Sequence, residues 1–104
     1  MTILVNQSGG QVQYIHGSID SEGNKMWGEG FSCSRLSQGA YLIEFDTPFL
    51  SQPTAVCTIK GDPQSTFDIS VGIVETDTSK FVCFTSAPDQ VVDCGFSFMV
   101  FGEA

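Results

Sequence analysis

The sequence predicts an all-β fold of about six or seven antiparallel strands, arranged as a sandwich or a barrel. Eleven glycines and four prolines interrupt the 104 residues. Most of the segments between them are about eight residues or shorter, whereas helices usually need more. Apolar and polar residues alternate within the segments, which is the period of a strand with one buried face. Polar turn sequences separate the segments, as between the strands of hairpins.

The first half of the chain contains three predicted strands, at residues 11–19, 31–36 and 40–45. The buried face of the first is ambiguous, because apolar residues occur on both of its sides. In the third, Tyr41, Ile43 and Phe45 share the predicted core face. Residues 20–24 and 37–39 are predicted turns, with Gly23 or Asn24 able to take a positive φ.

The second half contains four more predicted strands, at residues 55–59, 67–73, 81–84 and 92–100. The irregular segment 46–53 carries two prolines, which cannot donate to a strand ladder, so we expect it to cross from one sheet to the other. Turns are predicted at 61–63 and 77–80. The residues on the predicted inward faces are Ala55, Cys57, Ile59, Phe67, Ile69, Val71, Ile73, Phe81, Cys83, Val92, Cys94, Phe96, Phe98 and Val100.

Length and charge limit the possible partners. Residues 1–104 are predicted to form a single domain, for which oligomerisation would be a natural supplement to a small core. The formal net charge of −8 argues against nucleic acid and anionic membranes, because both repel an acidic surface. The N-terminal residues have no signal-peptide or membrane-span pattern, so we expect a soluble chain in which the sequon-like Asn6-Gln7-Ser8 stays unmodified.

The four cysteines, Cys33, Cys57, Cys83 and Cys94, fall at inward mid-strand positions of the predicted pattern. No two have Cys-x-x-Cys spacing, so a zinc or redox site has no local support, and we predict no cofactor. Without an export signal, buried free thiols are favoured over disulfides. Strand pairing could nevertheless bring two of them within bonding distance.

Candidate ligand-binding residues surround the first predicted turn. Asp20, Glu22 and Asn24 carry side-chain oxygens at alternate positions, as in a calcium loop, but the later bidentate glutamate that closes an EF-hand is missing and a solvated turn is favoured. Trp27 could stack on a sugar face; alternatively it closes one end of a barrel or packs in a subunit interface. His16, the single histidine, is a further candidate, although a structural role is the alternative and no Ser-His-Asp arrangement can be argued from it.

Arg35 is the fifth candidate. It has the parity of the inward residues Phe31 and Cys33, where an unpaired charge would be costly. One hypothesis is an interchain salt bridge to Glu44 or Asp93. The alternative is a guanidinium group that reaches solvent at the end of the strand.

Several motifs combine glycines with core aromatic residues. They are Gly17-Ser-Ile-Asp-Ser-Glu-Gly23, Gly28-x-Gly-Phe-Ser-Cys-Ser-Arg35, Gly39-x-Tyr-Leu-Ile-Glu-Phe45, Pro48-Phe49 with Pro53, and Phe96-x-Phe with Gly102. This layout resembles a small β-domain at the C-terminal ends of phage tail fibres and bacterial collagen-like proteins. More distantly, it is similar to the H-type lectins, which recognise N-acetylgalactosamine-type sugars.

The resemblance implies an antiparallel β-sandwich that assembles as a homotrimer, with ligands at exposed loops or between subunits. We therefore expect a non-enzymatic recognition module, lectin-like or receptor-binding, whose partner is a cell-surface glycan or receptor. The alternative is a structural trimerisation cap without a ligand of its own. The loops at 20–27 and 61–65 are the predicted binding regions. As part of a fibre the domain would lie on a virion tail or cell surface, and otherwise in the cytoplasm.

Overall fold

The chain folds into two five-stranded antiparallel sheets that pack as a sandwich. The computed structural model describes the backbone of residues 2–5 and the whole of residues 10–60 and 68–104. The sequon-like segment 6–8, the predicted turn at 61–63, the predicted loop at 61–65 and Phe67 therefore lie outside the described residues. The strands are β1 (Thr2–Val5), β2 (Gln11–Ile19), β3 (Lys25–Gly28), β4 (Phe31–Ser37), β5 (Ala40–Phe45), β6 (Thr54–Ile59), β7 (Ser70–Thr76), β8 (Lys80–Ala87), β9 (Gln90–Val91) and β10 (Phe96–Glu103).

Sheet A has the strand order β1-β2-β10-β6, and β3 pairs with β2. Strand β10 pairs with β2 along residues 12–19, so β1 and β3 divide the opposite edge of β2 between them. Sheet B has the order β4-β5-β8-β7, and β9 pairs with one end of β8. The predicted all-β sandwich is confirmed, and it contains three short strands that the alternation pattern did not predict, β1, β3 and β9.

Aromatic rings from both sheets fill the space between them. The ring of Phe98 in sheet A lies 4.9 Å from that of Phe31 and 5.4 Å from that of Phe81, centroid to centroid, both in edge-to-face contact. Such pairs contribute about 0.5–1.5 kcal/mol beyond their buried area. The predicted core face of β5 is confirmed. In β2 the ambiguity resolves toward the side of Ile15, which is buried, while His16 is exposed.

The predicted last strand is wrong at its start. Strand β10 begins at Phe96 and not at residue 92, because Asp93 is held elsewhere: its carboxylate accepts hydrogen bonds from the Gly39 N–H at 2.8 Å and from Arg35 at 3.0 Å. Cys94 consequently lies before the strand, although its side chain is still buried.

The connections follow the turn chemistry of the sequence. Residues 46–53 cross from sheet B to sheet A, as predicted, and main-chain hydrogen bonds tie Phe49 to Thr78 and Leu50 to Glu103. Gly23 takes the positive φ expected in the first turn, at +88°. Asp77 caps the β7–β8 turn by accepting from the Ser79 N–H at 2.8 Å. No helix long and apolar enough to cross a membrane occurs in the described ranges.

Candidate functional site

The β2–β3 hairpin carries four of the five predicted site residues. Asp20 and Asn24 form its turn, while His16 and Trp27 lie on its two strands. Asp20 Oδ1 accepts hydrogen bonds from the N–H groups of Asn24 at 2.8 Å and Glu22 at 2.9 Å. These bonds, chiefly that from Asn24, lower the pKa of Asp20 below its ordinary value. The carboxylate thus stabilises the turn, as the preferred interpretation of the sequence predicts.

The hairpin is fastened to sheet B by hydrogen bonds to its main chain. The buried Tyr41 donates its hydroxyl to the carbonyl of Ser21 at 2.7 Å, and the Cys33 thiol donates to the carbonyl of Gly23 at 3.1 Å. A third hydrogen bond has its donor in the hairpin and its acceptor in sheet B: Lys25 Nζ donates to the carbonyl of Phe31 at 2.7 Å. The turn is therefore held at one end of the sandwich by contacts from β4 and β5.

A cleft of about 370 Å³ opens beside this turn. Its walls combine apolar side chains with hydroxyl, ammonium and carboxylate groups, which is the usual composition of a small-molecule site. The lining residues are Ser18, Ile19, Asp20, Ser21, Met26, Lys60, Ile69, Asp93, Cys94 and Gly95.

Lys60 supplies the positive charge of the cleft. Its ammonium group donates to Ser18 Oγ at 3.2 Å and lies 6.0 Å from the centre of the Trp27 ring. The ion pairs found among the described residues are Arg35 with Asp93 and Lys80 with Glu75, so Lys60 takes part in neither. The ammonium group therefore keeps donor capacity for a bound molecule.

His16 and Trp27 belong to a row of aromatic rings on the outer surface of sheet A. The His16 ring stacks on that of Tyr14 at 5.8 Å and meets that of Trp27 edge-on at 5.5 Å. These side chains border a second, shallower hollow of about 470 Å³, together with Val56 and Met99. The Lys60 ammonium group, close to the Trp27 ring, connects this surface with the cleft.

Arg35 pairs with Asp93 of its own chain, with Nε 3.0 Å from Oδ1. The hypothesis of an interchain bridge was therefore right about Asp93 but wrong about the chain, because residue 93 comes within reach of β4 in the same molecule. The Arg35 guanidinium, together with the Gly39 N–H, lowers the pKa of Asp93. Arg35 does not line the cleft, but the turn packs on it: a Cβ placed on Gly23 would lie 2.7 Å from the Arg35 amide nitrogen.

All four cysteines are free thiols, as predicted. Cys83 and Cys94 are buried, whereas Cys33 and Cys57 are partly exposed, so inward parity alone does not give full burial. Burial raises the pKa of Cys33 and Cys94, and a hydrogen bond with Cys57 together with burial raises that of Cys83. In the described part of the chain no three His, Cys, Asp or Glu side chains gather as a metal site.

Sequence reasoning missed the residues that complete the site. Lys60 follows a predicted strand directly, with no motif to mark it, and Ser18 is a polar residue at a buried position of β2. The sequence does not assign Tyr14 to a face, because apolar residues occur on both sides of its strand. The rarity of cations in this acidic chain was the available signal, since four basic residues face twelve acidic ones.

Neither family models nor curated proteins gave a match to this sequence. Among solved structures, the fold is similar to that of an N-truncated R1-type pyocin tail fibre. The two share 17% sequence identity at a TM-score of 0.53, over 98% of this chain and 86% of that one. The similarity to H-type lectins stays a prediction. What the chain shares with the pyocin tail fibre is its β-sandwich fold, which supports the tail-fibre part of the resemblance seen in the sequence.

Proposed function

We propose that the chain is a non-enzymatic recognition domain of the tail-fibre type, lectin-like or receptor-binding, whose ligand occupies the cleft beside the β2–β3 hairpin. The observation that supports this proposal is the geometry of the cleft. Lys60, hydroxyl groups and carboxylates line a volume of about 370 Å³, and Trp27 lies at its border, next to Lys60. The fold shared with a pyocin tail fibre supports the fibre context.

The chemistry of the cleft fits a neutral sugar residue. Lys60 would donate to ring or exocyclic oxygens, and the exposed hydroxyl of Ser21 can both donate and accept. Trp27, with 46% of its surface exposed, offers a rigid ring for stacking on an apolar sugar face. A net charge of −8 disfavours sialylated or phosphorylated glycans, because the field of the whole domain repels them.

The carboxylates of the cleft fit recognition better than acid catalysis. A general acid at neutral pH needs a raised pKa, whereas the pKa values of Asp20 and Asp93 are both lowered. Both groups already accept hydrogen bonds from their own chain. Ionised and fixed in position, they would serve as acceptors for ligand hydroxyl groups.

A glycan array covering neutral and acidic sugars tests this proposal. We expect binding to neutral glycans, and about 10-fold weaker binding after Lys60→Ala, because the cleft loses its charged donor. Lys80→Ala is the matched control, since Lys80 pairs with Glu75 in sheet B, away from the cleft. If the protein keeps its fold and assembly but binds no glycan on the array, the lectin version of the proposal is overturned.

A structural trimerisation cap is the second candidate function. It is favoured by the large apolar side chains that sheet A exposes to solvent. The expected assembly is a homotrimer, measurable by light scattering, and a monomeric chain would remove this candidate. Under either function we expect no binding to nucleic acid or to anionic membranes, because the chain carries −8 charges.

A further inference from the structure

Two of the four cysteines, Cys57 and Cys83, approach each other from opposite sheets of the sandwich. Cys57 is on β6 of sheet A, Cys83 is on β8 of sheet B, and both pack in the core between the sheets. Their neighbours explain the approach. Cys57 pairs with Phe98 in sheet A, and the Phe98 ring contacts that of Phe81 across the core. Phe81 lies next to Cys83 on the inward face of β8, and the two thiols are hydrogen-bonded to each other.

The other two thiols have main-chain partners instead. Cys33 donates to the carbonyl of Gly23 at 3.1 Å, and Cys94 donates to the carbonyl of Lys60 at 3.9 Å. Both lie beside the hairpin and the cleft, whereas Cys57 and Cys83 meet between the two sheets. A disulfide needs two sulfur atoms whose strands already bring them together. Cys57 and Cys83 are the pair that meets this requirement.

The two thiols of the pair differ in their access to a reagent. Cys57 is partly exposed, since β6 is the last strand in the order of sheet A, whereas Cys83 is fully buried. The hydrogen bond with Cys57, together with burial, raises the pKa of Cys83. A buried thiol that stays protonated is inert toward reagents in solution. A reagent therefore reacts first at Cys57.

We propose that Cys57 and Cys83 form a site of oxidative modification, at which a small disulfide converts the two thiols into a cross-link between the sheets. The Cys57 thiolate attacks one sulfur atom of the reagent and expels the other as a thiolate, which takes up a proton. The Cys83 sulfur then loses its proton, attacks the Cys57 sulfur and expels the second reagent thiol. Two protein thiols are thus oxidised, and one reagent disulfide is reduced to two thiols.

The cross-link would fasten the two layers of the sandwich at β6 and β8. It closes a loop of about 25 residues that includes β7, and this restricts the unfolded chain. Because thiols stay reduced in the cytosol and are oxidised outside it, the domain would fold with free cysteines and gain stability in oxidising surroundings. The inference goes beyond both proposed functions, since it requires neither a ligand nor an assembly.

Oxidation of the unmodified full chain in native buffer tests this site. Hydroxyethyl disulfide is the probe, because an uncharged reagent is not repelled by a net charge of −8. We expect the chain to lose two hydrogen atoms, about 2 Da by mass spectrometry. Peptide mapping after alkylation of the remaining thiols should join Cys57 to Cys83. The Tm should rise by about 10 °C and return to its initial value after reduction with dithiothreitol.

Two serine variants separate the pair from general thiol reactivity. Cys57→Ser should abolish both the cross-link and the rise in Tm. Cys33→Ser is the matched control, because it removes the other partly exposed thiol, and it should keep both effects. Mapping of the unmodified chain remains decisive even if a variant does not fold.

Four results would overturn the inference. They are a chain that keeps all its thiols free, a reaction that stops at a mixed disulfide on Cys57, a cross-link between any other cysteines, and a cross-link that leaves the Tm unchanged. Loss of the cross-link in Cys33→Ser would equally contradict the assignment to Cys57 and Cys83. None of these results depends on whether the cleft binds a glycan.

Discussion

The hydroxyl of Tyr41, in the interior of sheet B, donates a 2.7 Å hydrogen bond to the main-chain carbonyl of Ser21 in the turn of the β2–β3 hairpin. The same oxygen accepts the N–H of Cys94 at 3.2 Å. One buried phenol thus joins two of the segments that line the cleft. Burial raises its pKa, so the donating form is maintained at neutral pH.

Tyr41→Phe should loosen the cleft without disrupting the core. The ring stays in place, but the Cys94 N–H loses its acceptor, which costs about 1–3 kcal/mol. We expect a lower Tm and faster amide exchange at residues 21–24 and 94. Tyr14→Phe, at the other tyrosine of the chain, is the control and should leave both measurements unchanged, because its ring lies on the outer surface. Equal effects of the two substitutions would contradict the role of the buried hydroxyl.

Acid should weaken the fold partly through Asp93. Its folded-state pKa is lowered by Arg35 and Gly39, so its stabilising contribution is complete above the unfolded value of about 4 and is lost as pH falls through the lower folded value. Asp93→Asn should therefore lower stability at pH 7 and flatten the loss of stability below about pH 4. Urea unfolding at a series of pH values measures this, and Arg35→Gln should flatten the curve similarly. An unchanged acid slope in both variants would remove this ion pair from the acid response.

Gly28 should be among the least replaceable residues of the hairpin. It has φ +111°, and an added Cβ would lie 2.5 Å from the His16 carbonyl oxygen and 2.7 Å from the Gly17 Cα. Gly28→Ala should therefore cost about 3 kcal/mol or more. Gly72→Ala is the matched control, because a Cβ there meets nothing within 4 Å, and its effect should stay within about 0.5 kcal/mol. Chemical denaturation of both variants gives the comparison; similar losses would contradict it.

Phe98 should carry more stability than an exposed phenylalanine of the other sheet. It is buried against the rings of Phe31, Phe81 and Phe96, so Phe98→Ala should cost about 3–5 kcal/mol. Phe84 lies on the outer surface of sheet B and is 39% exposed; Phe84→Ala should cost about 1 kcal/mol or less. Thermal unfolding would show the difference, and a comparable fall in Tm for both would refute this account of the core.

Strands that alternate cleanly could be predicted from the sequence, but short paired segments could not. Strand β5 places Tyr41, Ile43 and Phe45 inward as the period of two requires. Strand β3 has no such alternation and becomes a strand because β2 offers it a free edge, with Trp27 opposite Ser18. Its existence depends on tertiary pairing, which local pattern does not encode.

The candidate site was predictable in position but not in composition. The turn from Asp20 to Asn24 could be predicted, and the candidate cleft lies beside it, because an aspartate that caps its own turn is a local feature. Lys60 and Asp93 reach the same place from residues far along the chain. The role of Arg35 could not be predicted for the same reason, since its partner Asp93 is 58 residues away in the sequence.

Two of the hydrogen bonds that fasten the hairpin to sheet B end on main-chain carbonyls of the turn. Tyr41 and Cys33 contribute the side chains, while Ser21 and Gly23 contribute only backbone oxygen atoms. Every amino acid supplies that oxygen, so the side chains at Ser21 and Glu22 can be exchanged without releasing the turn from its support. The side chains at these two turn positions can therefore vary in size and polarity beside the cleft while the scaffold stays the same.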